Sequence, residues 1–149
     1  MKIYDLKEPD ISKLAKFFSK LPPSSWNSKT IVSLLRNQSY EIKVIYEYEE
    51  IIALILSNFV SNECNLLYIG VVPSSQKKGA GGLLVNNLIS DCKARGFEKI
   101  QLEVRKNNHS AIFLYEKNGF DLDGLRKNYY PDGDHREDAL LYTYYLDKD

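Results

Sequence analysis

Gln76-Lys77-Lys78-Gly79-Ala80-Gly81 lies between a continuous apolar run and an amphipathic stretch, and its residue types suit anion binding. Glycine has no Cβ, so a chain built on Gly79 and Gly81 can approach a ligand closely. If a helix starts there, the N–H groups of its first turn have no intrahelical partners. They point outward, and the helix dipole adds positive charge to them. Lys77 and Lys78 place two full charges alongside. Phosphate or pyrophosphate is the fitting ligand, but two common phosphate motifs do not match. A P-loop needs Gly-Lys-Ser/Thr after the glycines, whereas Gly81 is followed by Gly82-Leu83. A dinucleotide fingerprint needs a third glycine where Leu84 stands. Taken alone, the six residues read equally as a glycine-rich turn with solvated lysines.

Two other side chains can move protons. Glu103 sits on the polar side of a stretch in which Ile100, Leu102 and Val104 alternate with Gln101, Glu103 and Arg105. It can act as a base, directly or through water, and it also reads as a solvent-facing glutamate paired with Arg105. Tyr115 follows Ile112 and Phe113. A phenol of ordinary pKa near ~10 is protonated at neutral pH and can donate a proton, but a core aromatic fits the position too. His109 and His135 lack metal-ligand spacing with Cys64 or Cys92, so no metal is expected. Neither cysteine has a histidine close by in sequence, which argues against a thiol nucleophile.

The elements that must position these groups follow from periodicity and punctuation. Asp10 caps a helix with Ile11, Leu14, Ala15, Phe17 and Phe18 as its apolar positions, stopped by Pro22-Pro23. Asn27 or Ser28 caps a second through Ile31, Leu34 and Leu35. Glu41 to Tyr48 and Ile51 to Phe59 read as a hairpin about Glu49-Glu50, although the turn lacks the usual Gly or Asn. Leu66 to Val72 is a buried central strand ended by Pro73. Gly81 to Arg95 is a helix with Leu84, Val85, Leu88, Ile89 and Cys92 inward and Gly96 as its stop. After the Ile100–Val104 strand, a short helix runs from about Ser110 to Asn118-Gly119, with Asn108 as a possible cap. Asp121 to Tyr129 and Ala139 to Leu146 are strands split by Pro131-Asp132-Gly133. The fold class is mixed α/β, one domain over residues 1–149, with antiparallel hairpins at both ends.

Lys plus Arg and Asp plus Glu both total 20 in 149 residues, and this balance disfavours a broad basic face for nucleic acid. No apolar run approaches the ~20 residues of a membrane helix. Met1-Lys2-Ile3-Tyr4-Asp5 lacks the apolar core and cleavage site of a signal peptide. Two cysteines suggest reduced thiols rather than a disulfide framework. The expected setting is cytoplasmic, with neither nucleic acid nor membrane as partner.

The order strand, Val71-Val72-Pro73, Gln76-x-x-Gly79-x-Gly81, helix, strand, Asn108, then Ala111 to Phe120 resembles the GNAT acetyltransferase superfamily. Within it, the chain is most similar to the ribosomal-protein alanine N-acetyltransferases (the RimI type). That similarity is carried by Trp26 to Thr30, Leu102 to Arg105, Arg126 to Pro131 and Arg136 to Ala139. Tyr68, Val72 and Gly82 depart from the subfamily pattern, which usually has Asn, a polar residue and Arg or Lys there.

The resemblance implies a central mixed sheet that splays between the Leu66–Val72 and Lys99–Val104 strands, with acetyl-CoA as co-substrate. The pantetheine arm would pair with backbone at Gly70, Val71 and Val72, and Asn108 would contact it. The pyrophosphate would rest on Gln76, Lys77, Lys78, Gly79, Ala80 and Gly81, with Gly82 adjoining. Glu103 would be the base that takes the acceptor's proton, and Tyr115 the acid that protonates the departing sulfur. Tyr129 and Tyr130 would line a peptide groove, and Trp26 would flank the acceptor entrance or pack in the core. The implied acceptor is the α-amine of a polypeptide, a ribosomal protein among the candidates. The alternatives are a small-molecule amine or polyamine, and a non-catalytic CoA-binding regulatory domain.

Overall fold

The computed structural model describes residues 1–7 and 10–146. Asp10 starts the first helix, α1 (Ile11–Ser19), its carboxylate accepting the Lys13 N–H at 3.0 Å. Leu14 and Phe17 turn inward, while Ile11 and Ala15 are exposed. The apolar stripe is therefore narrower than the sequence suggests, because a helix this short buries only one side of two turns. Asn27 caps α2 (Ser28–Leu34) through the Thr30 N–H at 3.0 Å.

The strands are β1 (Ile3–Asp5), β2 (Tyr40–Glu47), β3 (Glu50–Val60), β4 (Glu63–Val71), β5 (Lys99–Arg105), β6 (Asp121–Asp132) and β7 (His135–Tyr145). Between β4 and β5 runs α3 (Ala80–Ala94), and between β5 and β6 runs α4 (His109–Lys117). The short β1 carries no strong periodicity and was not expected; it pairs with β2 from Ile3↔Ile45 to Asp5↔Lys43. One sheet forms in the order β1-β2-β3-β4-β5-β7-β6. Among the described residues its only parallel pairing is β4 with β5, across which α3 provides the crossover.

Packing holds α3 across β3, β4 and β5. Leu84, Val85, Leu88, Ile89 and Cys92 are all buried there with Cys64, Leu66 and Ile100. Cys64 and Cys92 are unbridged. The neighbouring Cys92 thiol and burial push the Cys64 thiol up.

Two turns differ from expectation. The first hairpin reverses on Tyr48-Glu49, and Glu50 already pairs with Glu47. Both turn residues are left-handed, φ 50 and 65, which is the geometry of a tight two-residue hairpin but is usually met by Asn-Gly. Tyr48 is 94% exposed, so little packing goes with it. Replacing Tyr48-Glu49 by Asn-Gly should stabilise the fold by about 1–2 kcal/mol, raising Tm by about 2–4 °C per kcal/mol. An unchanged Tm would show that the turn holds no backbone strain. In the second hairpin, Asp132 pairs with His135, so the reversal falls on Gly133-Asp134. Pro131 sits inside β6, tolerated because that strand is at the sheet edge.

Candidate active site

The parallel ladder between β4 and β5 covers only Glu63↔Lys99, Cys64↔Ile100 and Asn65↔Gln101. Beyond it the strands part. The cause lies in β4, where Leu56 faces Tyr68 but Ser57 faces Leu66, leaving Leu67 as an extra residue. Such a bulge bends and over-twists its strand, here away from β5. The gap opens into a cavity of about 460 Å³ lined by residues of four strands, among them Leu67, Glu103, Asp123, Arg126 and Tyr130.

Glu103 reaches this cavity because β5 alternates: Ile100, Leu102 and Val104 are buried and Glu103 is on the open face. Its ion-pair partner is not Arg105 but Arg126, with Nη2 3.4 Å from Oε1. Arg105 instead pairs with Glu137 at 3.2 Å and donates to the Pro131 carbonyl at 3.1 Å. Glu103 and Arg105 share one face of the strand, but Arg105 is engaged by Glu137 and Pro131, and Arg126 reaches Glu103 across the sheet from β6. That strand is bulged between Arg126 and Tyr130. Asn128, φ 54, is the left-handed residue of the bulge. Its N–H is accepted by Asp138 at 2.9 Å, and Arg136 donates to the carbonyls of Asn128 and Tyr129 at 2.8 and 3.1 Å. The Arg136–Asp138 segment thus fixes the bulge and aims Tyr130 at the cavity. Burial raises the Tyr130 pKa, and the Glu103 carboxylate adds to the effect.

Tyr115 is 5% exposed on α4, its ring packed on Phe120 with centroids 5.8 Å apart. Burial, with Tyr130 nearby, pushes its hydroxyl well above the usual phenol range, so it stays protonated. Among the described residues no hydrogen bond engages that hydroxyl. Asn108 caps α4, accepting the Ala111 N–H at 3.3 Å.

The glycine-rich loop has the properties of an anion cradle. Gly79 is left-handed at φ 93, and Lys77 at φ 64. The first intrahelical bond of α3 runs from the Leu83 N–H to the Gly79 carbonyl at 3.0 Å. The N–H groups of Ala80, Gly81 and Gly82 are thus left without intrahelical partners, and no side chain caps them. Gln76 ties the loop to β4, its Nε2 donating to the Val71 carbonyl at 2.9 Å. Gly81 is where α3 passes α4: a Cβ there would meet Leu114 at 3.2 Å. Just past the end of β4, the Val72 N–H is bonded to the Ile52 carbonyl. Backbone groups alternate sides along a strand, so Val71, not Gly70 or Val72, turns its N–H toward the splay. These open N–H groups, with Lys77 and Lys78 exposed beside them, fit the pyrophosphate and amide arm of acetyl-CoA.

Two substitutions on this loop should act in opposite directions. Gly79→Val forces a β-branched residue into the left-handed region and should weaken acetyl-CoA binding by at least about tenfold. Gly82 has nothing within 4 Å of a built Cβ, so Gly82→Arg can add a charge without a clash and should tighten binding. Calorimetry reads both. Equal affinities across the set would remove the loop from the cofactor site.

Of the aromatic candidates, only Tyr130 lines the cavity. Tyr129 is 42% exposed, its ring edge against Tyr130 and under the Arg126 guanidinium. Trp26 packs against the core. Arg126, Asp123, Arg136 and Asp138 were not singled out as functional from sequence. The Arg126–Pro131 and Arg136–Ala139 segments were noted as similar to known proteins, but nothing in their spacing discloses bulges.

The family model for the acetyltransferase (GNAT) family matches residues 10–120. The [ribosomal protein bS18]-alanine N-acetyltransferase of Escherichia coli K12 is 36% identical over 116 residues, 78% of each chain. The enzyme of that name from Haemophilus influenzae is 34% identical over 145 residues, 97% of this chain and 98% of its own. The crystal structure of the E. coli ribosomal-protein-S18-alanine N-acetyltransferase superposes with a TM-score of 0.88 at 30% identity, covering 99% of this chain and 95% of that one. Family, sheet topology and splay agree, and the chain belongs to the GNAT family as an acetyl-CoA-dependent N-acetyltransferase.

Proposed function

We propose that the acceptor is the N-terminal α-amine of a polypeptide, a ribosomal protein in the cytoplasm being the leading candidate. The observation that carries this reading is the wide cavity on the open sheet face, walled by Glu103 and Tyr130 and continuous with the clamped β6 bulge. Similarity to bS18-alanine N-acetyltransferases over nearly the whole chain supports it. Chemistry supports it too. An α-amine has a pKa near ~7.7–8.0 against ~10.4 for lysine, so one carboxylate base suffices at neutral pH.

Acetyl-CoA supplies the acetyl group as a thioester. Glu103 takes the acceptor's proton, directly or through a water in the cavity. The Val71 N–H, turned into the splay, is suited to bear the charge that develops on the carbonyl oxygen. Tyr115 holds a proton for the leaving sulfur, and its burial keeps that proton in place across the working pH range.

Thiol release from acetyl-CoA, measured with short peptides, small amines and no acceptor, tests this reading. Peptide-dependent release is expected. Release with polyamines alone would favour a small-molecule enzyme, and binding without any release would favour a regulatory CoA-binding domain.

A further inference from the structure

β6 carries a second bulge within the cavity wall. Leu122 pairs with Tyr142 and Gly124 with Leu141, which leaves Asp123 as an extra residue. The bulge places Asp123 on the wall of the cavity that also holds Glu103. Its Oδ2 accepts two hydroxyl hydrogen bonds, from Thr143 at 2.9 Å and Tyr145 at 3.0 Å. Thr143 is only 3% exposed, so the carboxylate is anchored to a rigid part of the sheet. The two bonds fall on the same oxygen, and among the described residues Oδ1 receives none. The same hydroxyls hold the carboxyl below its usual range, so it is charged at neutral pH.

The charges around the cavity do not balance. Its wall carries Glu103, Asp123 and Arg126, and Arg126 is paired with Glu103. Lys99 is near enough to act on Asp123, but its ammonium pairs with Glu63 at 3.7 Å. Asp123 therefore faces the cavity as a fixed anion with no ion-pair partner among the described residues. Glu103 on β5 and Asp123 on β6 are separated by β7, two strand spacings or about 10 Å. An extended peptide whose α-amine lies at Glu103 can bring the side chain of its second or third residue that far.

We infer that Asp123 is the specificity residue for a second positive charge on the acceptor, a Lys or Arg side chain at position two or three of the peptide. This rests on the peptide reading of the same cavity and adds a sequence preference to it. A carboxylate with one oxygen anchored and the other open suits a charge-assisted hydrogen bond to ammonium or guanidinium.

The test is the ratio of kcat/KM for Ala-Arg and Ala-Ala-Arg peptides to that for Ala-Ala-Ala peptides, in wild type, Asp123→Asn and Asp123→Lys. Thermal melts verify that each variant is folded. Wild type should favour the basic peptides by about tenfold or more, Asp123→Asn should bring the ratio close to one, and Asp123→Lys should turn it below one. A wild-type ratio near one, or a ratio retained in Asp123→Asn, would overturn the assignment while leaving peptide acetylation standing. If every peptide is inert and amines react, the peptide reading fails instead. The ratio of a diamine to a monoamine in the same three proteins then decides whether Asp123 holds the second charge.

Discussion

Glu103→Gln should lower turnover by about 10²–10⁴-fold while acetyl-CoA affinity stays near wild type. Glutamine keeps the size of the side chain and can still reach Arg126, but it cannot accept a proton at neutral pH. The Arg126 ion pair lost in the variant involves side chains that are 53% and 33% exposed, so it contributes little to the fold. A drop in activity with an unchanged Tm therefore reports on chemistry. The loss should deepen toward lower pH, where more of the acceptor amine is protonated and a base is needed more often. Turnover within about threefold of wild type, with chemistry rate-limiting, would return Glu103 to the role of a solvent-facing strand residue.

Tyr115→Phe should cost about 10²-fold or more in turnover and little in stability. The ring supplies the packing on Phe120, and phenylalanine keeps it. The hydroxyl makes no hydrogen bond among the described residues, so its removal leaves no broken partner behind. Its pKa lies far above the ordinary phenol value, because burial disfavours the phenolate. Raising the pH through ~10 should therefore not switch the enzyme off through Tyr115, whereas an ordinary tyrosine would titrate there. An unchanged rate per folded molecule, joined to a fall in Tm, would make Tyr115 a structural aromatic.

Most elements were legible in the sequence because their signals are local. Asp10, Asn27 and Asn108 cap the helices they precede, and the α3 stripe from Leu84 to Cys92 is buried as its spacing requires. Gly79 and Gly96 stand at the two ends of that helix in left-handed conformations. What escaped was pairing at a distance. Glu103 turned out to face Arg126 rather than Arg105, because its partner is decided by a strand that joins the sheet two positions away. The bulges at Leu67, Asp123 and Arg126–Tyr130 have no residue signature of their own. They appear only when two strands are set side by side, and each one borders the cavity. The glycine pair that opens α3 has a local signature in the sequence, whereas the bulges that shape the cavity wall around Glu103 and Tyr130 do not.

The central claim is that acetyl passes to the amino terminus of a polypeptide. Its most direct test is mass-spectrometric mapping of the product from a peptide that begins with Ala or Ser and also contains an internal lysine. The account predicts a single acetyl group on the nitrogen of residue one, and no product when that nitrogen is blocked beforehand. Efficient acetylation of polyamines with every free-amino peptide inert, or acetyl found on the lysine alone, would contradict it.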